Sequence, residues 1–166
     1  MCSNADEEQQ PQDEEEWVLK GRRLVDLLGK LDEANRCYDE ALRINPNYAV
    51  AWICKGYVLS EMGRFVEAIA CYDRALELSP RYSKAWALNY KGVSLSKMGR
   101  FADAIECYDR ALSNQPGIAA AELWKNKGDS LYGLGRSEDA KKCYETAAEL
   151  EKRVKDYRVP LCKMQT

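Results

Sequence analysis

Four copies of one pattern run through this chain of 166 residues, and no other feature constrains its fold as strongly. The segments ANRCYDEALRINP, AIACYDRALELSP, AIECYDRALSNQP and AKKCYETAAELEK align without a gap, and their leading alanines are Ala34, Ala68, Ala104 and Ala140, spaced 34, 36 and 36. Cys37, Cys71, Cys107 and Cys143 recur at the same intervals, as do Gly29, Gly63, Gly99 and Gly135. Upstream lie Trp17, Trp52, Trp86 and Trp124, each followed by a glycine: Gly21, Gly56, Gly92 and Gly128. A repeat of this length is one supersecondary unit that cannot bury its own apolar face, so the copies must stack.

Each copy reads as two helices. The first carries apolar residues at helical spacing, such as Trp52, Ile53 and Tyr57. It stops at a glycine followed by a cation (Gly29-Lys30, Gly63-Arg64, Gly99-Arg100, Gly135-Arg136), where glycine supplies the left-handed cap. The second opens with acids that suit the positive end of its dipole: Asp32 and Glu33, Glu67, Asp103, Glu138 and Asp139. Pro46, Pro80 and Pro116 end it in the first three copies. Small residues, Gly56 on one helix and Ala68 and Ala75 on the other, let the two axes approach, with Tyr72 in the groove beside them.

With these residues in place, the chain resembles the tetratricopeptide repeat family in its prokaryotic style. The signature falls on Trp52, Gly56, Ala68, Tyr72, Ala75 and Pro80 in the second copy, and on Gly92, Ala104, Tyr108, Ala111 and Pro116 in the third. It falls on Trp124, Gly128, Ala140, Tyr144 and Ala147 in the fourth, and on Ala34, Tyr38, Ala41 and Pro46 in the first, whose Gly21 stands one residue early. The resemblance implies an all-α, right-handed α–α superhelix of four helix-turn-helix hairpins. The expected organisation is an acidic, disordered leader at 1–14 and a single repeat domain at 15–158. The repeats are expected at about 15–48, 49–82, 85–118 and 121–154, followed by a frayed tail at 159–166. The last second helix lacks a terminal proline, so it is expected to run from about Glu138 to Tyr157 as a cap faced by Glu149, Glu151, Lys152, Lys155 and Asp156.

Two spacings depart from the family period. Trp86 to Gly92 is six residues where the other copies have four, and Pro116 to Trp124 is eight where earlier copies have six. Both additions fall at the entry to a first helix, and a lengthened helix or loop with a local change of twist is expected there.

Composition excludes several function classes. No stretch approaches the roughly 20 apolar residues of a membrane span, no secretory pattern opens the chain, and there is no histidine to serve as base or metal ligand. Seven cysteines invite a metal or disulfide reading, but the four periodic ones sit one to a repeat, about 8–10 Å apart by helix packing, too far to bridge or to share an ion. They read as small buried thiols of a reducing, cytoplasmic setting, with Cys54 the one to watch for reactivity. No nucleophile elbow, phosphate-cradling loop or ligand cluster occurs, so neither catalysis nor a cofactor is expected. Residues 17–166 carry a net charge of +5, since 20 of the 27 acids and all 25 bases lie there. That is weak for nucleic acid, and the arginines recur in turns rather than in one stripe.

What remains is recognition. By the resemblance, first helices line a concave surface, and the family's inward-facing places fall on Val50, Ile53, Tyr57 and Ser60, then on Trp86 or a neighbour, Asn89, Val93 and Ser96. They continue on Glu122, Lys125, Asp129 and Tyr132, with Leu19, Arg23 and Asp26 in the first copy at a register open by one. From these, Arg23, Val50, Ile53, Tyr57, Asn89, Val93, Lys125, Asp129 and Tyr132 are the candidate peptide-binding residues. The places where relatives clamp a chaperone tail's carboxylate hold Leu19, Arg23, Cys54, Trp86 and Tyr90 instead, so that constellation is absent. The expected function is a non-catalytic scaffold binding a protein segment on the concave face. Self-association is the alternative, and RNA binding stands third.

Overall fold

The structure, a computed structural model, describes residues 11–78, 81–113 and 120–158. Among them are eight helices in hairpin order: α1 (Glu14–Leu28), α2 (Leu31–Ile44), α3 (Ala49–Glu61), α4 (Phe65–Leu78), α5 (Arg81–Lys97), α6 (Phe101–Ser113), α7 (Ala120–Gly133) and α8 (Ser137–Arg158). Most of the leader and the whole tail lie outside the described residues, and α1 already begins at Glu14 with Asp13 accepting a hydrogen bond from the Glu16 amide. None of the described helices is long and apolar enough to cross a membrane.

The hairpin turns are closed as the glycines require. Gly63, Gly99 and Gly135 have φ of 77°, 76° and 77°, and the amide after each reaches back to a leucine carbonyl: Arg64 to Leu59, Arg100 to Leu95, Arg136 to Leu131. That is the Schellman closure, which satisfies carbonyls the helix end would leave unpaired. In the first copy the corresponding bond runs from Lys30 to Leu24 and so spans one residue more. The early Gly21 is thereby accommodated in the turn and does not disturb the packing.

That packing rests on one contact repeated four times. A methyl carbon built on Gly21, Gly56, Gly92 or Gly128 would lie 2.5, 2.6, 2.6 and 2.6 Å from the ring of Tyr38, Tyr72, Tyr108 and Tyr144 respectively. Glycine is therefore required on the first helix because the tyrosine of the second lies flat against its backbone. Ala34, Ala41, Ala68, Ala75, Ala104 and Ala111 are all fully buried around the same crossings, consistent with close helix approach. The periodic cysteines Cys37, Cys71, Cys107 and Cys143 fill the core at 5–6% exposure.

Neighbouring hairpins are joined by their own recurrent polar contacts. Lys55, Lys91 and Lys127, each just before a glycine, pair with Asp39, Asp73 and Asp109 of the preceding second helix. Ser94 donates to Ser60 at 3.0 Å and Ser130 to Ser96 at 3.2 Å, linking successive first helices. The first helices pack on each other in order, α1 on α3, α3 on α5 and α5 on α7, and form the inner wall of the superhelix.

At the far end, α8 runs from Ser137 to Arg158 as a single helix. Where α4 and α6 place Ile69 and Leu76, or Ile105 and Leu112, against the next repeat, the equivalent places on α8 hold Lys141 and Ala148. A charged residue and a truncated one close the stack, as a terminal repeat requires.

Candidate protein-binding groove

The insertion before Gly92 decides the shape of the inner wall. It is absorbed as helix: α5 has 17 residues and α3 has 13. Two residues of α-helix turn the chain by about 200°, so the tryptophan two places further from its glycine emerges on the opposite side. Trp17, Trp52 and Trp124, four residues before their glycines, pack against core clusters, and the Trp52 indole donates to the Pro46 carbonyl at 2.9 Å. In the third copy that core place is taken by Leu88, which is 2% exposed. Trp86 is 46% exposed instead.

Trp86 lies beside a cavity of about 560 Å³ bounded by α1, α3 and α5, a volume in the usual range for binding sites. Arg22, Val25 and Asp26 come from α1, and Val50, Ile53, Cys54 and Tyr57 from α3. Trp86 and Tyr90 come from α5, while Tyr38 of α2 reaches in from behind. The aromatic side is ordered by ring contacts. Tyr90 stacks on Trp86 (centroids 6.1 Å apart, planes at 26°) and on Tyr72 (6.1 Å, 22°), and meets Tyr57 edge-on (5.6 Å, 61°). Such pairs hold ring orientation as well as burying area.

Electrostatics divides the cavity. Burial pushes up the Tyr57 phenol, helped by Glu61 and Asp26. The Tyr90 phenol is raised by burial and by Glu122. Nearer α1, burial raises the Cys54 thiol to about 11, with Arg22 the cation that opposes the shift. A thiol held that high is protonated at neutral pH, and Cys54 forms part of the cavity lining in that form.

The periodicity behind this geometry is also visible to models of known families. A tetratricopeptide repeat model matches residues 47–116, a TPR repeat model matches 27–63, and a second tetratricopeptide repeat model matches 121–153. The chain is a tetratricopeptide repeat protein. No curated protein matches it significantly. Among solved structures, it is similar to MamA (TM-score 0.77, 24% identity, covering 89% of this chain and 84% of that one). It is also similar to MamA 41-end from Desulfovibrio magneticus RS-1 (TM-score 0.74, 21% identity, 85% and 77%). A third similar structure is BtubC from P. vanneervenii (TM-score 0.75, 21% identity, 89% and 68%). At these identities the likeness is one of fold: an all-α, right-handed repeat superhelix. A tetratricopeptide repeat fold is a protein-interaction scaffold, typically without catalysis of its own.

The places suggested by the family pattern are only partly brought together. Val50, Ile53 and Tyr57 line the cavity. Arg23 does not; its neighbour Arg22 does, so the open register of the first copy resolves by one residue. Asn89 requires correction, because it is 2% exposed and occupied within the wall, accepting from Asn126 at 3.0 Å and donating to Glu122 at 3.3 Å. Val93 is likewise turned to the core around Leu88 and Leu95. Lys125, Asp129 and Tyr132 are exposed on α7 outside this cavity, and Asp129 accepts the Tyr144 hydroxyl at 2.8 Å. Tyr90 and Arg22 were not singled out. In α1 the extra residue shifts the lining by one, whereas in α5 the register about the glycine holds: Asn89 and Val93 stand about Gly92 as Ile53 and Tyr57 do about Gly56. Asn89 is nevertheless bonded to α7 and Val93 is packed on the core, and Trp86 and Tyr90 face the cavity instead.

Proposed function

We propose that this protein is a non-catalytic scaffold that holds a segment of another protein in the groove between α1, α3 and α5. One observation carries the reading: the superhelix leaves an aromatic cavity of about 560 Å³ unfilled by its own side chains. Val50, Tyr57 and Trp86 lie around it at 37%, 37% and 46% exposure. Large rings in a concave site are the usual anchors of protein recognition, and a preformed groove spares part of the ordering cost of binding. The turn arginines Arg64, Arg100 and Arg136 are each paired with an acid three residues on, which favours a protein partner over nucleic acid. Such a scaffold needs no cofactor, and a cytoplasmic setting agrees with its buried free thiols.

Affinity capture from a lysate of the source cell tests this. The intact chain is compared with Val50→Asp and Tyr57→Ala, both partly exposed positions whose folding is checked by circular dichroism. The expected result is a discrete partner lost at least about tenfold in both variants, the scale of one truncated anchor. Equal capture by all three proteins would contradict the groove.

Self-association is a second reading, favoured by α1, which leaves Leu19, Leu27 and Leu28 49%, 78% and 60% exposed. It predicts a mass that rises with concentration in sedimentation equilibrium and falls back to the monomer in Leu27→Glu.

A further inference from the structure

We propose that the open face of Trp86 receives a basic side chain, lysine or arginine, of the bound segment, with Asp26 on the α1 wall of the same cavity as its counter-charge. The proposal rests on the groove reading and adds to it the chemistry of the partner.

The chain's own repeats state the rule that Trp86 breaks. Lys20 lies over Trp17 at 5.5 Å, Lys55 over Trp52 at 5.9 Å and Lys127 over Trp124 at 5.1 Å. In each case the lysine is three residues after the tryptophan, on one helix face. Lys91 holds the same place in the third copy, but the residue three before it is Leu88. No described cation lies over Trp86, whose indole is stacked on Tyr90 and 46% exposed.

Among aromatic rings an open indole face is the best cation acceptor, and the wall around it is supplied with acids. Asp26 lines the cavity, Glu61 and Asp26 act on the Tyr57 phenol, and Glu122 acts on that of Tyr90. Arg22 is the cation that lines the cavity; it is the leading charge on Cys54 and the last-ranked one on Tyr90, behind Glu122. A basic residue therefore finds its place against α5, away from Arg22. A purely apolar residue would fill the same volume but gain no attraction from Asp26.

The test uses random dodecapeptides displayed on phage and panned against the full chain. A recovered peptide is synthesised and titrated calorimetrically against the intact protein, Trp86→Leu, Asp26→Asn and Tyr57→Ala. The expected result is a shared lysine or arginine among the recovered peptides. Trp86→Leu should weaken binding about 2- to 30-fold, the range of one cation–π contact. Changing that basic residue to methionine should remove most of the difference between the intact protein and Trp86→Leu. Peptides that lack a common basic residue, or bind Trp86→Leu as well as the intact chain, overturn the cation site; the groove itself stands if Tyr57→Ala still weakens them. A panning in which no peptide responds to Tyr57→Ala overturns the groove, and the cation site with it.

Discussion

Tyr72→Ala is expected to lower the unfolding free energy by about 3–5 kcal/mol, the scale of removing a fully buried aromatic ring. Tyr72 is 0% exposed, and its ring separates the Gly56 backbone of α3 from α4. Few repeat domains of this size can lose that much of a total stability of about 5–15 kcal/mol and remain fully folded. Urea unfolding followed by far-ultraviolet circular dichroism measures it. Tyr144→Ala is the internal control, because that ring faces the last glycine but is 37% exposed, so its loss should cost clearly less. The substitution also reaches the groove, since Tyr72 stacks behind Tyr90 at 6.1 Å and holds the aromatic wall from its far side. Equal losses at Tyr72 and Tyr144 would show that depth of burial, in which the two rings differ, does not set the cost of losing them.

Gly56→Ala tests the other half of the same contact. In an exposed helix the change to alanine gains about 1 kcal/mol from helix propensity. Here the new carbon would stand 2.6 Å from Cε1 of Tyr72, well inside ordinary contact, and neither helix can retreat without opening the alanine-lined crossing. Overpacking of this kind costs about 1–3 kcal/mol and outweighs the propensity gain. The net expectation is destabilisation by up to about 2 kcal/mol, read from the urea midpoint. An unchanged or raised midpoint would mean that the tyrosine ring can swing aside.

The hairpins were legible in the sequence because each element carried its own mechanism. Gly63 before Arg64 announced a left-handed cap, and the φ of 77° is that cap. Gly56, Ala68 and Tyr72 announced a close helix crossing, and the ring does lie on the glycine. The groove was half legible. Val50, Ile53 and Tyr57 belong to the one repeat with regular spacing at its entry, and there the family pattern pointed into the cavity. In the third copy the same counting named Asn89 and Val93, which hold the places of Ile53 and Tyr57 about the glycine but are taken up within the wall, Asn89 by Glu122 and Asn126 of α7 and Val93 by the core around Leu88 and Leu95. The insertion was visible, but its consequence depended on whether helix or loop absorbed it, and only helix rotates Trp86 out of the core. Lys125, Asp129 and Tyr132 lie outside the cavity for a simpler reason: α7 is beyond its walls, which end at α5.

The most direct test of the account is photo-crosslinking from chosen positions. A benzophenone amino acid placed at Val50, inside the groove, is compared with one at Tyr132, exposed on α7 at 67%, with illumination in a lysate of the source cell. The groove account predicts a discrete partner adduct from position 50 that is absent from position 132. Adducts from position 132 alone, or the same adducts from both, would contradict it.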